Sequence, residues 1–212
     1  GGPIVDLGSH QIDVYSWFLG ASPKSVMASG GIDYWKGHDW YDNVMAIFEY
    51  ETKQGIVRAF YQTITTNSNN GYFEAFMGDQ GTLIISEAAG RGEVYREAWV
   101  PPENWEKWIK LGYLKEPPKE QEQEQEQEQK PADDSVLDVR ETPKPPSYNI
   151  PVTMDKPYHQ PHLENFFDAF RGKAKLNCPA EIGYETAVTV LRVNEAVEAG
   201  RKLEFKPEDF KV

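Results

Sequence analysis

Two alternating runs joined by a short turn constrain the fold of this chain more than any other feature. Residues 43–51 (NVMAIFEYE) and 55–66 (GIVRAFYQTITT) alternate between apolar and polar side chains, with Thr-Lys-Gln-Gly at the turn. This pattern predicts a β-hairpin. Residues 72–77 and 82–86 flank Gly-Asp-Gln-Gly and predict a second hairpin. Strands joined by such short turns favour a largely antiparallel sheet.

Helical patterns occupy both ends of the chain, with further strands predicted at 24–34 and 92–98. Residues 162–171 place one leucine and three phenylalanines at i, i+3, i+4 and i+7. Residues 180–199 carry one apolar stripe that ends at a glycine. The predicted fold class is therefore α+β: a largely antiparallel mixed β-sheet with helices packed on one face.

The first helical pattern contains the strongest candidates for catalytic side chains. Asp6, His10 and Asp13 recur at i, i+4 and i+7, which places all three on one face of an α-helix. Two carboxylates beside an imidazole favour its protonated form and fix its tautomer, as a proton-transfer histidine requires. The alternative is a structural histidine that is hydrogen-bonded to one of the two aspartates.

A second candidate is the loop 33–42 (DYWKGHDWYD), which is dense in aromatic side chains. Trp35, His38 and Trp40 suit stacking against a sugar ring, and they equally suit a subunit interface or the edge of a core. His162 begins the phenylalanine-rich helix, where it faces either a binding pocket or solvent.

A metal site is the rival interpretation of the same histidines. Asp6 and His10 could supply two ligands, and His159 and His162 two more. Pro161 prevents the second pair from forming a regular helical face, and no cysteine or glutamate cluster completes a zinc-like set. We therefore predict no metal site.

Composition excludes several classes of function. The net charge of −12 argues against nucleic-acid binding, and no apolar run is long enough to span a bilayer. We predict a single domain over residues 1–212 with a polar, mobile insertion around 115–147. The Glu-Gln alternation at 120–129 lies within it and cannot bury apolar area. An acidic partner-binding tract is the alternative interpretation of that alternation.

The opening motif resembles a known family. Gly-Gly-Pro-x-x-Asp-x-Gly-x-His-x-x-Asp, followed by Trp17 and Leu19-Gly20, resembles the start of the second domain in the Gfo/Idh/MocA family of glucose–fructose oxidoreductase and inositol dehydrogenase-like enzymes. The sequence HLENFFDAFRG, then Cys-Pro-Ala-Glu and a long helix ending at Glu-Ala-Gly, resembles the end of that domain.

The resemblance implies a C-terminal substrate and oligomerisation domain whose N-terminal NAD(P)-binding Rossmann domain is absent from this chain. NAD or NADP is expected in the full-length enzyme and no cofactor in this chain alone, which we expect to be inactive. His10 is expected to act as general acid/base on a sugar, polyol or related secondary alcohol, and Asp6 to orient it.

Five further residues are candidates for substrate contacts: Asp13, Trp35, His38, Trp40 and His162. The alternative role of Asp13 is a cap or a contact with a neighbouring loop. Gly1 and Gly2 are expected to allow close backbone approach next to the nicotinamide. The open face of the sheet is expected to form a homo-oligomer.

Two alternatives stay open at this point. The chain could be a non-catalytic carbohydrate- or protein-binding module. It could also be part of an NAD-dependent glycoside hydrolase, since the family that it resembles includes such enzymes. The compartment is left open: no signal peptide is visible at the start of the sequence, so a cytoplasmic protein is favoured, and an upstream signal sequence would indicate the periplasm.

Overall fold

The structure, a computed structural model, describes residues 1–69, 71–86, 92–116, 145–152 and 155–211. The Glu-Gln alternation and most of the predicted insertion lie outside these residues. The chain divides into two compact units, one formed by residues 1–69 with 158–212 and the other by residues 70–157.

Most helices and strands agree closely with the sequence patterns, but the helix at 103–110 and the strand at 147–149 were not predicted. In chain order they are α1 (Pro3–Asp6), α2 (Gly8–Leu19), β1 (Pro23–Gly31), β2 (Asn43–Thr52), β3 (Gly55–Ile64), β4 (Glu74–Met77), β5 (Gly81–Ile85), β6 (Gly92–Arg96), α3 (Glu103–Lys110), β7 (Ser147–Asn149), α4 (His159–Phe170), α5 (Ala180–Ala199) and β8 (Leu203–Glu204). A 3₁₀ turn, Pro207–Phe210, follows β8.

The first unit is built on a four-stranded antiparallel sheet in the order β3-β2-β1-β8. The β2–β3 hairpin predicted from the alternating runs is present, with Ile47 opposite Phe60 and, on the other side, opposite Met27. Because side chains alternate between the two faces of a strand, this register fixes two distinct surfaces.

One surface of this sheet is the core of the unit. Val44, Ala46, Phe48 and Tyr50 of β2 are fully buried, and α1, α2 and α5 pack over them. Each large apolar side chain buried in this way contributes about 1.5–3 kcal/mol to folding. The alternate residues of β1, β2 and β3 point to the opposite surface, where the apolar side chains are exposed.

The second unit has its own four-stranded antiparallel sheet in the order β4-β5-β6-β7. Its small core consists of Val100, Trp105, Leu114 and Tyr148. A Cβ atom at Gly81 would lie 2.8 Å from the Trp105 ring, so this glycine lets the indole approach the strand. The second predicted hairpin, β4–β5, is present here.

The predicted α+β fold class is confirmed, with two differences of detail. The strands form two sheets, and the opening helix is interrupted at Leu7 into α1 and α2. In the described part of the chain, none of the helices combines the length and apolar character that a membrane crossing needs.

Candidate functional site

The opening motif forms the start of the first unit. Asp6 ends α1 and His10 lies in the first turn of α2. Leu7 between them keeps helical dihedral angles (φ −77°, ψ −40°), so the two side chains remain about one helical turn apart. Both side chains are exposed. Within the described chain, neither Asp6 nor Asp13 forms a hydrogen bond or ion pair with His10.

Asp13 has a different environment from the other two motif residues. Its Oδ1 accepts a 2.7 Å hydrogen bond from Oγ1 of Thr186, which lies on α5. Asp13 is half-buried, so this bond compensates a carboxylate that has lost part of its water. The contact joins α2 to α5, one turn of helix away from His10.

The packing of α2 against the sheet explains why the motif has a glycine at position 8. A Cβ atom on Gly8 would lie 3.1 Å from Cε1 of Tyr61, so the helix can approach the tyrosine ring closely. The Tyr61 hydroxyl donates to Oε1 of Gln11 at 3.1 Å, and that of Tyr15 donates to the Phe60 carbonyl at 3.0 Å. These contacts fix where α2 presents His10.

The segment Gly1–Gly2 is held from two sides. Nδ2 of Asn194, on α5, donates to the Gly1 carbonyl at 3.1 Å. Gly2 has φ 86° and ψ −179°, a conformation available essentially to glycine alone, and a Cβ atom there would lie 2.8 Å from Cβ of Trp40. The Gly2 carbonyl in turn accepts the Val5 and Asp6 amides at 2.9 and 3.0 Å, which begins α1.

The aromatic loop is organised by a buried carboxylate that the sequence analysis did not single out. Asp42, 2% exposed, accepts hydrogen bonds from the backbone amides of Tyr34 and Trp35 at 2.7 Å each. The Asp33 amide and the Asn43 side chain also donate to it, at 3.2 and 2.8 Å. Burial alone would raise the pKa of this carboxyl, but the hydrogen bonds from Trp35, Asn43, Tyr34 and Asp33 together hold it well below its usual range.

The aromatic side chains of the loop form one cluster, in which Trp35 and His38 are exposed and Trp40 is half-buried. The ring centroids of Trp35 and His38 are 6.2 Å apart, and those of His38 and Trp40 are 4.6 Å apart. Nε1 of Trp35 donates to Oγ1 of Thr65 at 3.1 Å. The three loop residues that the sequence analysis proposed for stacking against a sugar ring therefore lie together.

Trp40 connects this cluster to the opening motif, because it packs against Gly2 at the start of α1. His162 is separate from both. It lies exposed in the first turn of α4, and among the described residues it forms no hydrogen bond to the aromatic loop or to α2. The expectation that Pro161 keeps His159 and His162 from a regular helix was wrong, because α4 begins at His159 and proline is tolerated in the first turn of a helix. In the described ranges, no three His, Cys, Asp or Glu side chains are grouped closely enough to hold a metal ion.

Two residues of this region were missed by sequence reasoning. An aspartate at the end of a polar loop often accepts backbone amides of that loop, so the position of Asp42 directly before β2 is a usable signal. Asn194 has no such signal, because its partner, Gly1, is 193 positions away in the sequence.

Comparison with known proteins places this arrangement in context. The family model described as "Oxidoreductase family, C-terminal alpha/beta domain" matches residues 1–205. No curated protein sequence matches the chain.

Several solved structures share the fold at low sequence identity. The NAD-binding protein from Listeria innocua is 18% identical with a TM-score of 0.63, and the match covers 97% of this chain and 52% of that one. The aldose-aldose oxidoreductase from Caulobacter crescentus is 12% identical (TM-score 0.61), with 97% of this chain and 48% of that one covered.

A third structure is the WlbA dehydrogenase from Bordetella pertussis, in complex with NADH and UDP-GlcNAcA. It is 12% identical with a TM-score of 0.57, and the match covers 97% of this chain and 46% of that one. The present chain thus spans about half the length of the solved chains that it matches.

Proposed function

Because this chain belongs to the Gfo/Idh/MocA oxidoreductase family and corresponds to its C-terminal alpha/beta domain, we propose that it forms the substrate side of an NAD(P)-dependent oxidoreductase. The proposed substrate is a sugar, a polyol or a related secondary alcohol. The observation that carries this proposal is the contact of Trp40 with Gly2, which brings the aromatic loop to the start of the helix pair that bears Asp6 and His10.

In this proposal His10 handles the proton of the reacting hydroxyl group. Its imidazole is exposed at the start of α2, so a substrate hydroxyl can reach a ring nitrogen without the displacement of other protein groups. As the alcohol is oxidised, the imidazole accepts the hydroxyl proton, and in the reverse direction it returns that proton to the oxygen. The nicotinamide, when bound, supplies the chemistry of accepting or donating the hydride.

Asp6 is proposed to orient His10. The two side chains lie about one helical turn apart, at the end of α1 and in the first turn of α2. The two groups are not hydrogen-bonded in the described structure, so the proposal is that Asp6 acts through its charge and through a contact formed when substrate binds.

The aromatic loop is proposed to position the substrate. Indole and imidazole rings offer flat surfaces to the apolar C–H faces of a sugar ring, and their N–H groups can bind hydroxyls at the ring edge. The loop does not suit the pyrophosphate of a dinucleotide, because Asp42 already occupies the amides of Tyr34 and Trp35. The aromatic loop is therefore proposed to contact the substrate, and the cofactor is proposed to bind mainly to the other half of the complete polypeptide.

The open surface of the first sheet is proposed to join two copies of the protein. Met27, Met45, Ile47 and Phe60 are each 41–55% exposed there, around a depression of about 490 Å³. A row of opposite charges borders them: Glu49 pairs with Arg58 and Lys202. A patch that carries both signs of charge beside apolar side chains can be self-complementary, as a two-fold dimer requires.

The test uses the complete natural polypeptide that contains this chain, assayed with sugars and polyols in the presence of NAD or NADP. We expect His10→Ala to lower kcat by at least about a hundredfold, the usual contribution of a general acid/base. His159→Ala is the matched control, because His159 is also an exposed helical histidine but lies on α4. Unchanged activity in His10→Ala would remove His10 from the mechanism.

A non-catalytic carbohydrate-binding module is the second candidate, and the exposed aromatic cluster favours it. It predicts that the isolated chain binds a sugar, that Trp40→Ala abolishes this binding, and that the complete polypeptide oxidises no sugar or polyol with either cofactor. Calorimetric titration of the isolated chain with the same sugars and polyols tests the binding, and the oxidation assay of the complete polypeptide with NAD or NADP distinguishes the two candidates.

A further inference from the structure

The indole of Trp35 is held at its nitrogen by a threonine from outside the aromatic loop. Trp35 lies between β1 and β2, whereas Thr65 directly follows β3. Nε1 of Trp35 donates a hydrogen bond of 3.1 Å to Oγ1 of Thr65. The Thr65 hydroxyl in turn donates to the Asp42 carbonyl, also at 3.1 Å. Because a hydroxyl can donate one hydrogen bond and accept another, both bonds form at the same oxygen.

Trp35 is therefore fixed through its backbone and through its ring. Its amide donates to the Asp42 carboxylate at 2.7 Å, and its indole N–H group is bound by Thr65. The Tyr34 ring packs edge to face with the indole, with centroids 4.8 Å apart. The side chain of Trp35 nevertheless stays exposed. A ring that is already oriented loses little conformational entropy when a ligand binds to it, so Trp35 is preorganised for binding.

The bond to Thr65 also determines which part of the indole a ligand can use. An indole has one hydrogen-bond donor, and in Trp35 this donor is engaged. Trp35 therefore offers a ligand its apolar ring surface. The C–H groups on one side of a sugar ring fit such a surface, because the contact removes apolar area from water on both partners. An open-chain polyol has no rigid flat side, and it must lose the freedom of several rotatable bonds to form one.

We propose that Thr65 is a positioning residue that orients Trp35 and thereby favours ring-shaped substrates over open-chain ones. This inference rests on the proposed function, in which the aromatic loop contacts the substrate. Thr65 itself has no contact with the substrate and takes no part in the transfer of the proton or the hydride. Its contribution is to substrate binding, which changes KM and leaves kcat unaffected.

A purely structural role for Thr65 leads to a different expectation. The Thr65 amide donates to the Asp42 carbonyl at 3.1 Å, and a valine at this position can form the same bond. The Asp42 carboxylate also retains the loop amides in that variant. Thr65→Val therefore releases the indole while the backbone of the loop stays anchored. If Thr65 only stabilised the loop, the substitution would affect cyclic and open-chain substrates equally.

The test measures kcat and KM of the complete polypeptide, with NAD or NADP, for hexoses and for the hexitols of the same configuration, such as glucose and sorbitol. We expect Thr65→Val to raise KM for the hexoses about tenfold, which corresponds to about 1.4 kcal/mol. The kcat values and KM for the hexitols should stay unchanged. Thr65→Ser keeps the hydroxyl group and should retain the native values. Thr66→Val is the matched control, because Thr66 is the neighbouring exposed threonine and the indole binds Thr65 instead.

Trp35→Phe is a second variant that does not depend on the folding of Thr65→Val. Phenylalanine keeps an aromatic surface but has no N–H group for Thr65 to bind, so we expect the same rise of KM for the hexoses. Native KM values in Trp35→Phe would overturn the inference. An equal rise of KM for hexoses and hexitols in Thr65→Val would also overturn it, as would a preference of the native protein for the hexitols.

Fluorescence titration of the complete polypeptide with the same compounds separates this inference from the proposed function. If neither class of compound is oxidised, the proposed function is wrong. Hexose binding that is tighter than hexitol binding, and that weakens about tenfold in Thr65→Val, would still support the positioning role of Thr65. A native protein that binds neither class would contradict both.

Discussion

At the scale of single residues, the arrangement of the site depends on two groups with little room for substitution, Asp42 and Gly2. Asp42 gathers the backbone amides of the aromatic loop, and Gly2 allows Trp40 to rest on the start of α1. Neither would touch a substrate. Both determine the positions of the side chains that would contact a substrate.

We expect Asp42→Asn to loosen the aromatic loop. The amide nitrogen of asparagine would face a donor that now binds a carboxylate oxygen, so at least one backbone amide of the loop would lose its acceptor. Hydrogen exchange at Tyr34 and Trp35 should accelerate, and tryptophan fluorescence should shift towards that of a solvated indole. Asp39→Asn, in the same loop but exposed, is the control and should leave both signals unchanged.

The same carboxylate predicts a dependence on pH. Because the pKa of Asp42 is lower in the folded protein than in the unfolded chain, its stabilisation is complete above the unfolded value of about 4 and is lost as the pH falls towards the folded value. Melting temperatures measured from about pH 7 to about pH 2 should fall more steeply for the native chain than for Asp42→Asn. An equal pH dependence of the melting temperature in the two proteins would show that the Asp42 carboxylate does not stabilise the folded protein in this way.

Gly2→Ala tests the close contact beneath Trp40. Alanine is strained at φ 86° and ψ −179°, and its Cβ atom would lie 2.8 Å from that of Trp40. We expect a loss of about 1–3 kcal/mol in the free energy of unfolding, measured with denaturant. Gly1→Ala is the control, because a Cβ atom there meets nothing within 4 Å. Equal stability of the two variants would contradict the strain argument.

At the scale of elements, α2 is positioned by a sheet on one side and by α5 on another. Tyr61 and Tyr15 hold it on β3 through their hydroxyls, and Thr186 binds Asp13 from α5. The periodicity of the sequence identified each of these elements, α5 with the bounds found in the structure. It could not show that α2 and α5 meet, because their contact joins residues far apart in the chain.

Thr186→Val tests the link between these two helices. The substitution preserves shape but removes the hydroxyl that donates to Asp13, so a half-buried carboxylate loses its partner. We expect about 1–2 kcal/mol of destabilisation, somewhat less than for a fully buried carboxylate. Thr186→Ser keeps the donor and should retain most of the stability. A similar loss in both variants would instead point to packing of the methyl group.

At the scale of the whole molecule, the first unit has two apolar surfaces that its own described residues leave uncovered. One is the open sheet surface, and the other is the face of α4 that carries Leu163, Phe166, Phe167 and Phe170. The proposed function assigns the open sheet surface to contact with a second copy of the protein.

Phe60→Glu tests the assignment of the sheet surface. A carboxylate in place of this 55% exposed ring would have to be desolvated in an interface between two copies. We expect the mass measured by light scattering to fall from that of an oligomer to that of a monomer. Met77→Glu, on an exposed residue of β4, should leave the mass unchanged. A monomeric native protein would remove the basis for this assignment.

The sequence by itself determined the α+β class, most of the helices and strands (though not α3 and β7), and the membership of the opening motif in one helical region. These depend on local periods and turn residues, which act over a few positions. Tertiary structure alone decided the break at Leu7, the division of the strands into two sheets, and the meeting of Trp40 with Gly2 and of Asn194 with Gly1. Those features depend on how buried surfaces fit together across long stretches of chain, which no local pattern encodes.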